Sequence, residues 1–574
     1  MKIKPVFIGI AVLGALLLVL SLSSMAKVFG ANPREVLAGV KTQPEAVQLL
    51  PKRSLAFVSF LVNPERLGLF VQLAAKPSDR ANVRHQLDNL KQQLRQNWLL
   101  DYERDVQPWL DQEITLAVTD ADLDRQPDNG LQTGYLLALV AKDAKLAKTT
   151  IDAFWQRLAV NGSDLGFEQY QGVSILSTSQ NTHRQSAIAG TTLGKFVLFA
   201  NDPRVLHKAL DNLQSPSLAL AGLDTYRDRL AQLDTAKIGF AYINLAELGE
   251  ELPKANLLMS LGVDKFGIRA KTVFEVEDFS KKIEAKAEST NRKSTKELTK
   301  KSSPNIATAI PSGSSVIIGN NLNQTLQDLK DSLTPEWRKL LKQTVAPLAE
   351  NIDIPLDRDN LAWADDDYAI ALLPKTDKIA KANPEWWPDW LIVAKVKDAK
   401  ASQTAIAALD DAARTKLTVG EVLLKEQPVK VWTQLSAIAN KSATNPNASV
   451  SGNVVAAHAQ TKDYIYLSNS LTVLESAIFN VNHQSITSSS SFKTMLAKAP
   501  SDLQTFAYFP KDAELGWLKA GLVKSDIFKK IIENSDNFPT EIFKHFKAVS
   551  FASNTNKNVS KVDIQNGEIS LAIN

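Results

Sequence analysis

The sequence contains no cysteine. Disulfide staples, thiolate nucleophiles, iron–sulfur clusters and cysteine-ligated zinc are excluded together, and the fold must rest on packing. An excess of one charge is also missing. With 66 basic and 62 acidic side chains the formal net charge is +4 over 574 residues, which gives no whole-protein attraction to nucleic acid, so no nucleic-acid partner is expected. Histidine is scarce: His85, His183, His207, His458, His483 and His545 are the six, and no two have the three- or four-residue spacing that aims both at one metal from a helix. No G-x-S-x-G elbow occurs, and nothing supports acyl transfer. No cofactor, catalytic residue or metal ligand is therefore nominated.

What is present is ordinary globular composition, 44% hydrophobic and 22% charged, in a chain too long for one core. Two domains are expected. The start is the exception: after Lys2 and Lys4, the run Pro5 to Ala26 carries no charge. As a helix it extends about 33 Å, against a hydrocarbon core of about 30 Å. The reading is a cytoplasmic tip (1–4), a transmembrane anchor (5–26), a juxtamembrane segment (27–49) and an exported body, with the lipid bilayer as first partner. A cleaved signal peptide is the competing reading, since Ser24, Met25 and Ala26 offer small residues where a peptidase cuts.

The body reads as one unit present twice, 50–288 and 310–574, joined by a polar linker, 289–309. LPKRSLAFVSFLVN from Leu50 answers to IPSGSSVIIGNNLN from Ile310, and RDVQPWLDQEITLAV from Arg104 to RDNLAWADDDYAIAL from Arg358. Trp109 thereby stands opposite Trp363, and Glu113 opposite Asp367. TGYLLALVAKDAK from Thr133 answers to PDWLIVAKVKDAK from Pro388, KFVLFANDPRVLHKAL from Lys195 to DYIYLSNSLTVLESAI from Asp463, and Phe240-Ala241-Tyr242 to Phe506-Ala507-Tyr508. The linker's Ser, Thr, Lys and Glu cannot fill a core.

Within each copy an amphipathic helix is expected after the first strand, on the stripes Val83, Leu87, Leu90, Leu94, Trp98 and Leu322, Leu326, Leu329, Leu333, Trp337, Leu340. YLLALVA and LIVAKV read as strands covered on both faces, and AGTTLGKFV and HAQTKDYIY as hairpins. The fold class is α+β: two mixed, largely antiparallel sheet-plus-helix units behind a transmembrane helix. Asn63, Asp143, Asp202 and Asp398 stand where a strand hands over to a helix and are expected to cap it.

Several tempting motifs fail on spacing. Asp120, Asp122 and Asp124 begin like a calcium loop, but Arg125 replaces the turning glycine and Leu131 the bidentate glutamate. GTTLGKF at Gly190 lacks both the spacing and the hydroxyl of a phosphate loop. Asp365, Asp366 and Asp367 form an acidic triplet, but Asp367 begins a strand pattern, so its neighbours are expected to face water rather than a common ion. The cluster Trp386, Trp387 and Trp390, in NPEWWPDW, has two readings: an interaction surface for lipid or a partner, or a plug over the core above Leu391.

The proline-led strand before NPERL, the segment DVQPWLDQEITLAV, a strand running into KDA, and the export anchor together resemble the cyanobacterial family catalogued as domain of unknown function 3352. The second copy departs from the pattern with Ala362 for Pro108 and DDD for DQE. The resemblance implies a compartment rather than a reaction: a plasma or thylakoid membrane, with the body in periplasm or lumen. The expected function is a non-enzymatic, membrane-anchored binding or assembly protein with a protein partner in the membrane or envelope. A carrier of an apolar ligand and a hydrolase using scattered carboxylates are the alternatives.

Overall fold

A computed structural model describes residues 43–62, 101–126, 128, 132–178, 188–233, 238–248, 255–264, 267–276, 304–322, 363–373, 388–438, 449–479, 485–499, 503, 505–510, 546–555 and 564–573. The anchor, Asn63, most of the linker, Trp386, Trp387 and nearly all of the two leucine stripes lie outside these residues. Among the described residues no helix is long and apolar enough to cross a membrane.

The chain divides into two compact units: Met1–Ser280 with Lys530–Phe546 and Asn556–Asn574, and Lys281–Lys529 with Lys547–Thr555. In the first unit the strands are β1 (Ala56–Phe60), β2 (Leu110–Asp120), β3 (Gly134–Ala141), β4 (Leu165–Tyr170), β5 (Val173–Thr178), β6 (Ala189–Leu193), β7 (Phe196–Ala200), β8 (Gly239–Asn244), β9 (Ala255–Asp264) and β10 (Gly267–Val276). Helices α1 (Ala144–Val160), α2 (Pro203–Gln214) and α3 (Asp224–Gln232) lie between them. In the second unit the strands are β11 (Ser315–Asn320), β12 (Asp367–Leu373), β13 (Asp389–Lys395), β14 (Thr418–Leu424), β15 (Gln427–Ile438), β16 (Ser449–Gln460), β17 (Tyr464–Ser468), β18 (Thr505–Pro510) and β19 (Phe546–Thr555). Its helices are α4 (Ala399–Arg414), α5 (Leu471–Ile478) and α6 (Ser490–Lys498).

One pairing order serves both units. The first runs β4-β5-β6-β7-β3-β2-β1-β8-β9-β10, and the second β14-β15-β16-β17-β13-β12-β11-β18-β19. Register agrees between the central strands, where Leu137 opposes Phe199 and Ile392 opposes Leu467; at the first strand the sequence match is shifted by one, since Phe57 opposes Tyr242 but Val316, and not Ile317, opposes Tyr508. Every one of these pairings is antiparallel, so the expectation of a mixed sheet is corrected. Short hairpins supply β4–β5, β6–β7 and β9–β10, and the long-range neighbours β1–β2, β1–β8 and β3–β7 also meet antiparallel, so no right-handed crossover to a parallel strand is required.

The expected unit boundaries differ from the observed ones at two places. A last strand, β20 (Ile564–Ile573), belongs to the first unit, where it pairs antiparallel with β10 from Gly267↔Ala572 to Glu275↔Ile564. The end of the expected linker is also structured: Pro304–Ala309 forms a 3-10 turn with Ile306 and Ala307 buried. It matches the turn Ala46–Leu49, and each turn leads into a proline bridge, Pro51↔Ala219 and Pro311↔Ser485.

The sheet of the first unit is covered on both faces. Val205, Leu206, Ala209 and Leu210 of α2 pack with Phe57, Leu198 and Phe240 on one side, and Ala147, Ile151, Phe154, Trp155 and Leu158 of α1 pack with Leu139, Val197 and Phe199 on the other. This is why β3 and β7 read as continuous apolar runs. Local punctuation behaves as expected: Asp143, Asp202 and Asp398 accept from Leu146, Arg204, and Lys400 with Ala401 backbone N–H groups, at 2.8–2.9 Å. Gly194, at φ 56°, turns the β6–β7 hairpin that contains GTTLGKF.

Candidate functional site

The carboxylates that stand out along the sequence turn out to hold the fold. Glu113, fully buried, accepts from the backbone N–H groups of Glu45 and Ala46 at 2.8 Å each, and from Thr115 Oγ1 at 3.2 Å. It ties β2 to the 3-10 turn that precedes β1. Asp105, also buried, accepts from Arg104 at 2.8 and 2.9 Å and from Arg157 of α1 at 2.8 Å. Burial alone would raise its pKa, but the hydrogen bonds from Arg104 and the Asp101 N–H, with the charges of Arg157 and Arg104, hold it below the ordinary aspartate range. The neighbouring Trp109 donates to the Asp105 carbonyl at 2.6 Å and is buried, as Trp363 is in the second unit.

The acidic loop is organised by its own chain. Asp122 accepts from the Gln132 N–H and Asp124 from the Gln126 N–H, both at 3.0 Å, and Lys208 pairs with Asp120. Of the two neighbours of Asp367 only Asp365 faces water, pairing with Lys397 at 3.7 Å, whereas Asp366, against expectation, is buried with Asp367 because both accept from Asn320. Among the described residues no group of three or more histidines or acids is placed to hold a metal.

Of the tryptophan cluster, Trp390 is the second residue of β13 and is 4% exposed, packed with Trp363, Ile392 and Leu409. It occupies the core-plug position. Its N–H and carbonyl are taken by Asn469 and Ser468 at 2.8 and 2.6 Å, the former repeating the Tyr135–Asn201 bond at 2.8 Å in the first unit. Trp386 and Trp387 lie outside the described residues.

Each sheet ends in a hairpin whose outer strand faces solvent. On β4 Phe167 is 67% exposed, and on β14 Leu423 is 70% exposed with Val422 beside it. The tip of each hairpin is pinned to a helix by different chemistry. In the first unit Tyr170 donates to Asp211 at 2.9 Å and stacks on His207 at 4.0 Å, and His207 meets Glu168 at 2.7 Å. In the second, Lys425 pairs with Glu475 at 2.9 Å and lies over Phe479. Pinning the turn leaves the outer strand held out at the sheet edge.

A buried ionisable constellation that the sequence did not disclose lies in the second unit. Asp410 of α4 accepts on one oxygen from Trp432 Nε1 of β15 at 2.7 Å and pairs with His458 Nε2 of β16 at 2.8 Å. The side chains of His458 and Asp410 are 5% and 7% exposed, and the indole meets the imidazole edge-on at 5.7 Å. A carboxylate only accepts, so His458 donates from Nε2. Burial works to raise the Asp410 pKa, but the bonds from His458 and Trp432 and the charge of Arg414 outweigh it and hold the group below its ordinary range.

The first unit fills the same three places differently. Twelve residues after the N-caps Asp143 and Asp398 stand Trp155 and Asp410. Gly190 opposes Phe199, and His458 opposes the matching Leu467. Counting on from the hairpin tips, Thr178 corresponds to Trp432. A Cβ at Gly190 would lie 2.8 Å from the Trp155 ring, so the first unit packs an indole onto a glycine where the second sets a carboxylate against an imidazole. The signal was present, in an acid beside Ile406 and Leu409 on the buried stripe of α4, and the KDA match aligned it with Trp155.

No curated protein and no solved structure matches the chain. The profile of the family described as "Protein of unknown function (DUF3352)" matches residues 11–571, nearly the whole length, and the protein belongs to that family.

Proposed function

We propose that the protein is a membrane-anchored, exported binding or assembly protein that acts without catalytic turnover, its body on the periplasmic or lumenal side of a plasma or thylakoid membrane. One observation carries the reading: both units hold out an edge hairpin with a large apolar side chain in solvent, Phe167 in one and Leu423 in the other. Exposed apolar residues at a sheet edge are a liability unless a partner covers them. Two such edges on one chain suit simultaneous engagement of a protein held in the same membrane. Among the described residues, carboxylates that a hydrolase could draw on are engaged elsewhere, Glu113 and Asp105 in joints and Asp143, Asp202 and Asp398 in caps. The anchor rests on the uncharged run Pro5 to Ala26.

The test places a photo-crosslinking residue at 167, at 423 and, as control, at the exposed Val160 of α1, in the full chain in its native membranes. Discrete protein adducts from 167 and 423 but not from 160 are expected, with the chain recovered in the membrane fraction and released when residues 1–26 are removed. Adducts equal to the control, or a full-length chain recovered as soluble protein, would overturn the reading.

A further inference from the structure

We infer that the second unit carries a proton-operated latch, absent from the first, that fastens α4 to β15 and β16 through Asp410, Trp432 and His458. Three facts of geometry carry it. Asp410 is the ionisable group on the face of α4 that Ile406 and Leu409 bury, and it reaches two different strands, Trp432 on β15 and His458 on β16. Both donors converge on the same carboxylate oxygen, so the joint is strong only while that oxygen carries charge. The corresponding joint of the first unit, Trp155 against Gly190, contains nothing that takes up a proton.

The surroundings leave the pair to itself. On α4 the nearby charge is Arg414, which favours the ionised carboxylate and also pairs with Asp411. On β15 Lys430 is the register partner of His458, and its ammonium pairs with Glu421 of β14 at 2.9 Å. From β17, Leu467 faces His458. A protonated Asp410 would keep its volume but meet the two donors with an uncharged oxygen, and the charge assistance of both bonds would be lost in a dry site. Because the folded pKa is depressed, the stabilisation is complete above the unfolded aspartate value of about 3.9 and disappears as pH falls through the folded value. The latch opens in acid.

The first unit has acid-sensitive groups of its own, notably Asp105, so the decisive comparison is α4 with and without the latch. Hydrogen exchange of the full-length chain, corrected for the intrinsic pH dependence of exchange, is followed in peptides of α4 from pH 7 to pH 3. In the wild type α4 should lose protection once the pH falls below the open-state aspartate value of about 3.9, approaching tenfold for each unit between that value and the folded one, the slope of a single proton. Asp410→Asn together with His458→Gln keeps the shape and leaves the joint nothing to ionise, and should show low protection of α4 at pH 7 with a flat profile below it. The triple exchange Asp410→Trp, Trp432→Thr and His458→Gly, which installs the chemistry of the first unit, should restore protection at pH 7 and stay flat. An α4 profile of the same steepness in wild type and in Asp410→Asn with His458→Gln overturns the latch, and that variant alone decides if the triple exchange does not fold.

Discussion

Asp105 shows how much one side chain can organise. Its carboxylate accepts from Arg104 beside it and from Arg157 on α1, while its carbonyl accepts the buried Trp109 indole. The arginines are 59% and 32% exposed and the aspartate 2%, so water screens the cationic side and the joint is worth less than a fully buried pair. Asp105→Asn should therefore cost about 1–3 kcal/mol, below the roughly 3–5 kcal/mol of a wholly buried pair. The sign with pH follows from the depressed pKa: the stabilisation is present above the unfolded aspartate value and lost as pH falls through the folded one. Denaturant midpoints measured at pH 7 and pH 3 should show a large wild-type drop that the variant shares only in part. Equal drops in both would mean that Asp105 does not bear the acid sensitivity of this joint.

Helices start where their caps say. Asp143 and Asp398 hold the first turns of α1 and α4 with the same kind of side-chain bond in both units, and Asp143→Ala or Asp398→Ala should each cost about 1 kcal/mol. Guanidinium unfolding of the two variants checks this, and a loss at one site only would show that the caps are not equivalent. These elements were legible because their chemistry is local: a cap and its first N–H groups are near neighbours along the chain, as are the two sides of a hairpin turn. The order of strands was not, because β1 lies between β2 and β8 and β3 pairs with β7 across a helix and three strands. Composition along the chain carries no direct record of such neighbours. The latch was hidden for the same reason, its aspartate and histidine being 48 residues apart. Trp390 could be read two ways because a tryptophan beside prolines suits a surface and a core end equally, and only the depth of β13 decides.

At the scale of the whole chain, the duplicated pattern predicts two units that each finish their own sheet, yet the first borrows its last strand from the carboxyl end. β10 and β20 are matched from Gly267↔Ala572 to Glu275↔Ile564, and this pairing closes a loop containing the entire second unit. Such closure is tolerable because its entropic cost grows only with the logarithm of length, about 0.6 kcal/mol for each doubling. The interior of the first unit reaches β10, where Val273 is buried in the same cluster as Phe57 and Phe240. Removing residues 564–574 should thus leave β10 as a bare edge, its N–H and C=O groups unpaired over Gly267–Glu275. Hydrogen exchange should show β9 and β10 losing protection while β13, at the centre of the second sheet, keeps it. The exposed edge should also make the truncated chain self-associate, and a peptide of residues 564–574 supplied in trans should reverse both effects by replacing the strand. Unchanged protection of β10 in the truncated chain would show that the first unit is complete without its borrowed strand.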